Sequence, residues 1–528
     1  MGQTPDKPVR ATLTPYLTRG NTGTVWFDDV TIETEPPAWS AYLILPSQER
    51  LDPAGGRIVL GSVLVGRFLP APERIEDADL SCMIRVVAGG GQVAGLRAAV
   101  LDGRITTVLP ALPPGPAVLR LTLRETKHKW ILGEQEIPVT VAALPPPSST
   151  ACRIDARGRA LVAGKPFLPV GLYLSGIQRA DLDRLAASPF DCVMPYAGID
   201  LKFDGSTRTG IEAVREVLDA SVAKGIKVIF SIKDMYAGTQ WAQTEWEGAK
   251  GEAAVVERAV GAFKDHPALL AWYVNDERPL AMLDRLVERR RLVNRLDPDH
   301  PAWAVLDQFD AIPSYGGSYD VLGIDPYPIR DNGSRDMARV LDGLEMSARG
   351  IGTSDGLPLW VVPQIFSWGM YDAKTREEML KKSRYPTEAE MRAMTLLCAL
   401  KGARGFVFYS YFDLFRPMAK PDLDRRWGEI VRVGKMVRDL EPFLTAADPP
   451  VPVEVPVADG RVVAARLGDG SGRTIVIVAG IGPGTCRAVF PVDPGKRYVS
   501  RYGLCTPAGP GRFRFRGTDI CADILTEK

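Results

Sequence analysis

Between residues 151 and 446, short apolar runs alternate with longer stretches whose apolar residues recur at helical spacing. The runs are PFLPVGLY (166–173), FDCVMPY (190–196), IKVIFSIKD (226–234), LLAWYVNDE (269–277), PAWAVLD (301–307), DVLGIDPYP (320–328), PLWVVPQIF (358–366) and RGFVFYSYF (404–412). GIEAVREVLDASVAKG and AMLDRLVERRRLVNRL are typical of the intervening stretches. Strands alternating with helices imply βα units around a parallel sheet. Eight of them over this length predict a (β/α)8 TIM barrel.

The flanking segments show strict alternation broken by Gly and Pro. GRIVLGSVLVGRF, LSCMIRVVAG, AVLRLTLRET and QEIPVTVAAL predict an immunoglobulin-like β-sandwich over residues 36–147. It ends at LPPPSST (144–150), a stiff polar linker. RVVAARLG, RTIVIVAG, CRAVFPV and KRYVSRYG predict a second, C-terminal β-sandwich over 447–528. The expected architecture is therefore multidomain, a central TIM barrel (151–446) with all-β sandwich domains on either side.

Lysine and arginine (65) nearly balance aspartate and glutamate (64), so bulk charge gives no pull toward nucleic acid or an anionic membrane. No apolar run is long enough to span a bilayer. Cys82, Cys192 and Cys398 sit in apolar runs like core residues, whereas Cys486, Cys505 and Cys521 are close enough in sequence for one disulfide. Three histidines, His128, His266 and His300, and no CxxC spacing argue against a metal centre, and no cofactor is expected. Phosphate loops, GxSxG elbows and dinucleotide fingerprints are missing, which argues against kinases, lipases and dehydrogenases. Arg289-Arg290-Arg291 falls on a predicted helix, where a solvated face is the default reading.

In a TIM barrel the chemistry sits where the strands end. Those ends carry Tyr173, Lys233-Asp234, Asn275-Asp276-Glu277, Asp307, Asp325-Pro326-Tyr327, Gln364-Ile365-Phe366 and Tyr409-Ser410-Tyr411. Carboxylates and amides hydrogen-bond hydroxyls and aromatic faces stack on sugar rings, so this mixture suits a carbohydrate. The long stretch after the third strand, MYAGTQWAQTEWEGAKG (235–251), adds Trp241, Glu245, Trp246 and Glu247. Trp368 follows the seventh strand.

IDARGRALVAGKPFLPVGLY (154–173) and DHPALLAWYVNDERP (265–279) resemble the first and fourth strands of clan A glycoside hydrolases. In that clan Asn-Glu closes strand 4 and a second glutamate closes strand 7. The resemblance covers roughly residues 151–445 and implies a glycosidase with Glu277 as catalytic acid and Asp276 in the asparagine's place. Gln364 stands where the nucleophile is expected, and an amide cannot form the glycosyl ester that retention requires. Three readings remain open. Asp325, Asp234, Glu245 or Glu247 activates water in an inverting reaction; Gln364 orients a substrate that supplies its own nucleophile, as an acetamido sugar does; or the barrel binds glycan without cleaving it. The catalytic set is thus Glu277, Asp325 and Gln364. The substrate-binding set is Tyr173, Asp234, Trp241, Trp246, Asp276, Tyr327, Trp368, Tyr409 and Tyr411. Opposed to it is a structural reading in which Glu277 pairs with Arg278 or Lys233.

GNTGTVWFDDVTIE (20–33) resembles the closing strands of a jelly-roll carbohydrate-binding module, of which residues 1–35 would be a remnant; Trp26 and Asp28-Asp29 read as its core and turn. MGQTPDKPVRATLTPYL carries no signal peptide, which taken alone places the chain in the cytoplasm. A start inside a domain would remove that inference and leave a secreted or periplasmic protein as the expectation.

Overall fold

The computed structural model describes residues 39–46, 48–64, 75–127, 129–330, 333–351, 356 and 358–528. The jelly-roll remnant, with Trp26 and Asp28-Asp29, lies outside the described residues, as does His128. The described residues pack as two compact units, residues 39–43 with those of Glu49–Ala143 in one and those of Ile44–Gln48 with Leu144–Lys528 in the other.

In the first unit eight strands hydrogen-bond in the order Trp39–Leu45, Gly56–Leu64, Arg104–Leu109, Gly91–Leu101, Leu80–Ala88, Gly115–Glu125, Ile131–Val141, Arg50–Leu51. Gly91–Leu101 pairs with Leu80–Ala88 over most of its length and, through Val100 and Leu101, with Arg104–Leu109. Alternation then sends Ile84, Val86, Leu119, Leu121 and Ile105 into one core.

The second unit is built on eight parallel strands: β1 (Val170–Leu174), β2 (Cys192–Pro195), β3 (Lys227–Ser231), β4 (Leu269–Asp276), β5 (Ala302–Leu306), β6 (Val321–Ile324), β7 (Trp360–Val361) and β8 (Gly405–Phe408). Seven fall within the apolar runs that predict them, and β1 runs one residue past its own, to Leu174. The sheet closes into a barrel, since β8 pairs with β1 and β6 is bridged to β7 through Leu322–Leu359 and the Val362 N–H to Ile324 carbonyl bond of 2.9 Å. Helices α1 (Arg179–Ala186), α2 (Gly210–Ala223), α3 (Glu252–Phe263), α4 (Leu283–Leu296), α5 (Ala338–Ile351), α6 (Glu388–Leu400) and α7 (Leu423–Asp439) form the outer layer. After β5 only a 3-10 helix, Phe309–Tyr315, stands in the helix's place.

The barrel interior is filled, not hollow. Tyr273 stacks on Trp303 with ring centroids 4.9 Å apart, and Trp303 meets Trp360 at 6.1 Å. Glycines opposite make that volume available. A Cβ on Gly323 would lie 2.5 Å from Val305 and 2.8 Å from the Trp303 indole nitrogen, and one on Gly405 would lie 2.6 Å from the Trp360 ring. A three-stranded antiparallel sheet, Cys152–Ile154, Ala160–Val162 and Lys165–Phe167, adds Cys152 and Ala160 to this interior core. Its three strands lie directly ahead of β1 in the chain.

The C-terminal strands form a five-stranded sheet, in the order Val451–Val453, Val462–Gly468, Thr474–Gly480, Cys521–Glu527, Tyr498–Ser500, and a four-stranded one, in the order Val457–Asp459, Thr485–Pro491, Arg512–Thr518, Cys505–Pro507. Ile475, Ile477, Ala522 and Ile524 of the five-stranded sheet share the barrel's outer core with Leu396 and Leu397 of α6. Its other face meets the four-stranded sheet through Val476, Val478, Phe490 and Phe515. The five-stranded sheet is covered on both sides, which explains the nearly unbroken burial of Thr474–Gly480. All seven cysteines are buried and unbonded, so the three C-terminal thiols are core residues and not a disulfide.

The basic run on α4 corrects the sequence reading. Arg289 and Arg290 are 4 % and 1 % exposed. Arg289 caps the Ile232 and Met235 carbonyls and lies 4.1 Å from the Tyr236 ring centroid. Arg290 donates to Asp320 at 2.8 Å, and Asp320 also accepts from Asn294 at 3.2 Å and from the Ala302 N–H at 2.9 Å. A guanidinium inside this layer ties α4 to the start of β5 and the approach to β6. Removing its carboxylate leaves a buried unpaired charge, so Asp320→Ala is expected to cost about 3–5 kcal/mol in urea denaturation. A loss below about 1 kcal/mol would show that Arg290 does not depend on it.

Candidate active site

At the C-terminal mouth of the barrel lies a cavity of about 300 Å³ lined by Tyr173, Tyr196, Asp276, Glu277, Val305, Asp325, Tyr327, Phe366, Trp368, Tyr371 and Tyr409. β4 delivers two of its three carboxylates through a local irregularity. Pairing with β5 shifts register between Tyr273 and Asn275, and such a bulge re-aims the residues beyond it. Glu277 follows directly, with its N–H bonded to the Val305 carbonyl at 2.9 Å and a left-handed φ of 53°. A glutamate pays in backbone strain for that conformation, and residues so held cluster at functional sites. The residue as a whole is exposed at the rim, while its carboxyl turns into the cavity against Asp325; Trp272 faces the outer core.

Glu277 and Asp325 contact each other through their carboxyl groups. On Glu277 the hydrogen bond to Asp325 favours the ionised form, but enclosure of the carboxyl and the charges of Asp276 and Asp307 outweigh it and raise the pKa. Burial, then the bond to Glu277 and its charge, hold Asp325 well above the usual carboxylate range. Two carboxyls so placed resist ionising together, and the pair holds a proton to higher pH than either carboxyl would alone. No N–H or hydroxyl donor of the described residues reaches the buried Asp325 Oδ1. The Trp368 indole N–H in the same wall is likewise without an acceptor among them. Orphaned groups of this kind inside a cavity are points where a ligand can hydrogen-bond.

Asp276 is held by the Tyr273 hydroxyl at 2.5 Å and by Lys233 at 3.3 Å. Lys233 also pairs with Asp234 at 2.9 Å, and Asp234 with Arg278 at 3.0 Å. The structural reading of Glu277 is thus not realised, because both candidate cations are engaged by the two aspartates. Asp234 supports the floor beside the cavity and does not line it. The opposite wall is aromatic. Tyr409 lies 5.3 Å from Tyr173, 5.3 Å from Phe366 and 5.7 Å from Tyr327, ring centroid to ring centroid. The Tyr371 hydroxyl lies 3.1 Å from the Tyr409 hydroxyl and 2.9 Å from Asp413, its one proton in reach of either. Burial raises the phenols of Tyr173, Tyr196, Tyr327 and Tyr371 and pushes Tyr409 up to about 12, so all five remain protonated donors.

Of the residues expected from sequence, Glu277, Asp325, Asp276, Tyr173, Tyr327, Trp368 and Tyr409 meet in this cavity. The others do not. Gln364 is fully buried; its amide accepts from the Ile329 N–H at 2.9 Å and donates to the Ile329 carbonyl at 2.9 Å and the Phe366 carbonyl at 3.1 Å. Every polar atom of that side chain is bonded to backbone, so it is a brace and presents nothing to a ligand. Tyr411 lies past the end of β8 in the helix layer, stacked on Phe415 and bonded to Asp181 at 3.0 Å. Trp246 packs 6.0 Å from Phe263 under its loop, while Trp241, 75 % exposed, points to solvent. Glu245 pairs with Lys250 at 3.6 Å in a surface hairpin, and Glu247 sits at that hairpin's turn beside Gly210. Tyr196, Phe366 and Tyr371 belong to the site but not to the expected set. Tyr196 ends the second apolar run and was legible by the strand-end rule; Tyr371, in the short helix Gly369–Asp372, has no sequence signal.

No protein-family model matches the chain, and no curated protein matches it. Among solved structures it is similar to a family 39 glycoside hydrolase from Bacteroides cellulosilyticus WH2, at 14 % identity over 92 % of this chain and 100 % of that one, TM-score 0.41. It is also similar to a provisionally named glycoside hydrolase from Bacteroides vulgatus ATCC 8482 (11 %, 91 % and 100 %, TM-score 0.43) and to a b-glucuronidase from Ruminococcus gnavus (11 %, 71 % and 60 %, TM-score 0.31).

Two outcomes follow from the geometry. Gln364→Glu would set a carboxylate against the Ile329 carbonyl, so it is expected to lower stability by about 2–4 kcal/mol and to confer no hydrolysis; a stable, active variant would return position 364 to the reacting set. Asp325 has a raised pKa in the folded state, so its contribution to stability is present at low pH and lost as pH rises. Asp325→Asn is therefore expected to resist urea better than the native chain at pH 8, with the difference closing as pH falls below about 4. Denaturation curves across that range check the sign.

Proposed function

We propose that the chain is a glycosidase whose barrel cleaves an O-glycosidic bond, with Glu277 giving its proton to the leaving oxygen. The observation that carries this reading is the Glu277–Asp325 pair, two touching carboxyls both raised above their ordinary range, at the mouth of a closed barrel and facing an aromatic wall. Asp325 keeps the proton on the pair and Asp276, fixed by Tyr273, accepts a substrate hydroxyl or amide. Tyr327, Trp368 and Tyr409 supply faces for a sugar ring.

The same arrangement limits the mechanism. Paired carboxyls of an inverting enzyme stand roughly 6.5–9.5 Å apart to admit a water between them, whereas Asp325 touches Glu277. Asp325 thus serves as the acid's partner and not as the base across the cleft. With Gln364 braced against backbone, the attacking group comes from water on the aromatic side or from the substrate itself. Among the described residues no lysine or arginine lines the cavity. Its excess negative charge favours an uncharged saccharide over a uronate.

A second reading, a glycan-binding protein on a hydrolytically inactive barrel, is favoured by one observation: among the described residues no carboxylate other than Asp276 and Asp325 lines the cavity with Glu277. A panel of nitrophenyl glycosides and polysaccharides, assayed with the native chain and with Glu277→Gln, decides between them. Glycosidase action requires turnover of at least one substrate, lowered about 10²–10⁴-fold in the variant with its fold intact. Binding without turnover in the native chain selects the second reading, and undiminished turnover in the variant removes Glu277 from the chemistry.

A further inference from the structure

The outer face of the four-stranded C-terminal sheet carries a concentration of charge that the barrel's chemistry does not use. Along Arg512–Thr518 burial alternates, with Phe513 and Phe515 inward and Arg512, Arg514 and Arg516 outward and exposed. Alternate residues of a strand stand about 7 Å apart on one face, so the three guanidiniums form a row. Arg487 of the neighbouring strand lies directly opposite Arg516. Opposed like charges destabilise a sheet, and among the strands of this sheet only Asp459, across from Arg487 on the other side, bears a charge that offsets the pair. None of the four arginines has an ion-pair partner among the described residues. The strands of this sheet contain one carboxylate, Asp459, at the edge opposite Arg487. Thr506, opposite Arg514, and Thr518 add hydroxyls to the same face.

We propose that this face binds an acidic polysaccharide. A flat row of guanidiniums offers forked donors at a repeat, which suits a polymer carrying a carboxylate on successive sugars. The face holds no exposed aromatic ring on which a nucleic-acid base could stack and no apolar wedge for a bilayer, since its phenylalanines point inward. The other sheet of this sandwich is covered on both sides, so the arginine face is the sandwich's broad open surface. The inference rests on charge and exposure and stands apart from the reaction assigned to the barrel; polymer held here need not be the polymer cleaved.

The full chain and its Arg512→Gln/Arg514→Gln/Arg516→Gln variant are compared by affinity electrophoresis in polygalacturonate, with dextran as the neutral polymer, and by binding to single-stranded DNA and phosphatidylglycerol vesicles. A control variant, Arg258→Gln/Arg295→Gln/Lys435→Gln, removes the same charge from exposed positions on α3, α4 and α7. The native chain is expected to bind polygalacturonate and not dextran, more weakly as salt rises from about 50 to about 200 mM. The triple variant is expected to lose about tenfold or more, as three ionic contacts would account for, and the control little. Unaltered circular dichroism in both variants shows that the fold persists. Equal binding by the triple variant, an equal loss in the control, a native chain that ignores polygalacturonate, or tighter binding to DNA or vesicles would each overturn the proposal.

Discussion

Closing eight parallel strands on themselves removes every sheet edge, but the last seam must still be satisfied hydrogen bond by hydrogen bond. Here the seam falls between β6 and β7, the shortest strand of the barrel, with only Trp360–Val361 in regular pairing. Backbone bridges at Leu322–Leu359 and Val362–Ile324 extend it at either end. Beyond them Gln364 takes over, its amide exchanging two hydrogen bonds with the backbone of Ile329 much as a further strand residue would. A carboxylate could accept from that N–H but not donate to the carbonyl. The chemistry at position 364 is set by closure.

That constraint shapes the cavity above it. With no acid on β7, the carboxylates gather on β4 and β6 while aromatic rings from β1, β2, β7 and β8 occupy the other side. Crowding acids on one wall raises Glu277 and Asp325, because Asp276 and Asp307 add their charge to the loss of solvation. Lys233 reaches only Asp276 among these acids, and Asp234 holds both Lys233 and Arg278 in ion pairs of its own. The left-handed backbone at Glu277 and the raised carboxyls are both departures from the lowest-energy arrangement, and they coincide at one point of the mouth.

The barrel was legible because each strand is an apolar run buried on both faces, and the strand-end rule brought seven of the expected side chains to one cavity. The rule fails where its premise does. β8 stops at Phe408, so the alternation that places Tyr409 over the cavity says nothing about Tyr411, which turns into the helix layer. A long loop with two tryptophans reads as a platform, but Trp246 is required to cover Phe263 and Trp241 is left outside. Arg289 and Arg290 look solvated in sequence because composition carries no trace of Asp320 or of the carbonyls at Ile232 and Met235, which lie 30 or more residues away. The role of Gln364 was hidden for the same reason, since its partner Ile329 is 35 residues distant.

Net charge was the least informative quantity. A balance of 65 cationic against 64 anionic residues suggests a surface indifferent to polyanions. The fold segregates what the sum cancels, with three carboxylates at the barrel mouth and four unpaired arginines on the outer sandwich sheet. Electrostatic attraction acts over about a Debye length, roughly 8–10 Å at ordinary ionic strength, so a ligand responds to the patch in front of it and not to the molecule's total. A chain of near-zero charge can therefore hold an acidic polymer at one surface and disfavour an anionic sugar at another.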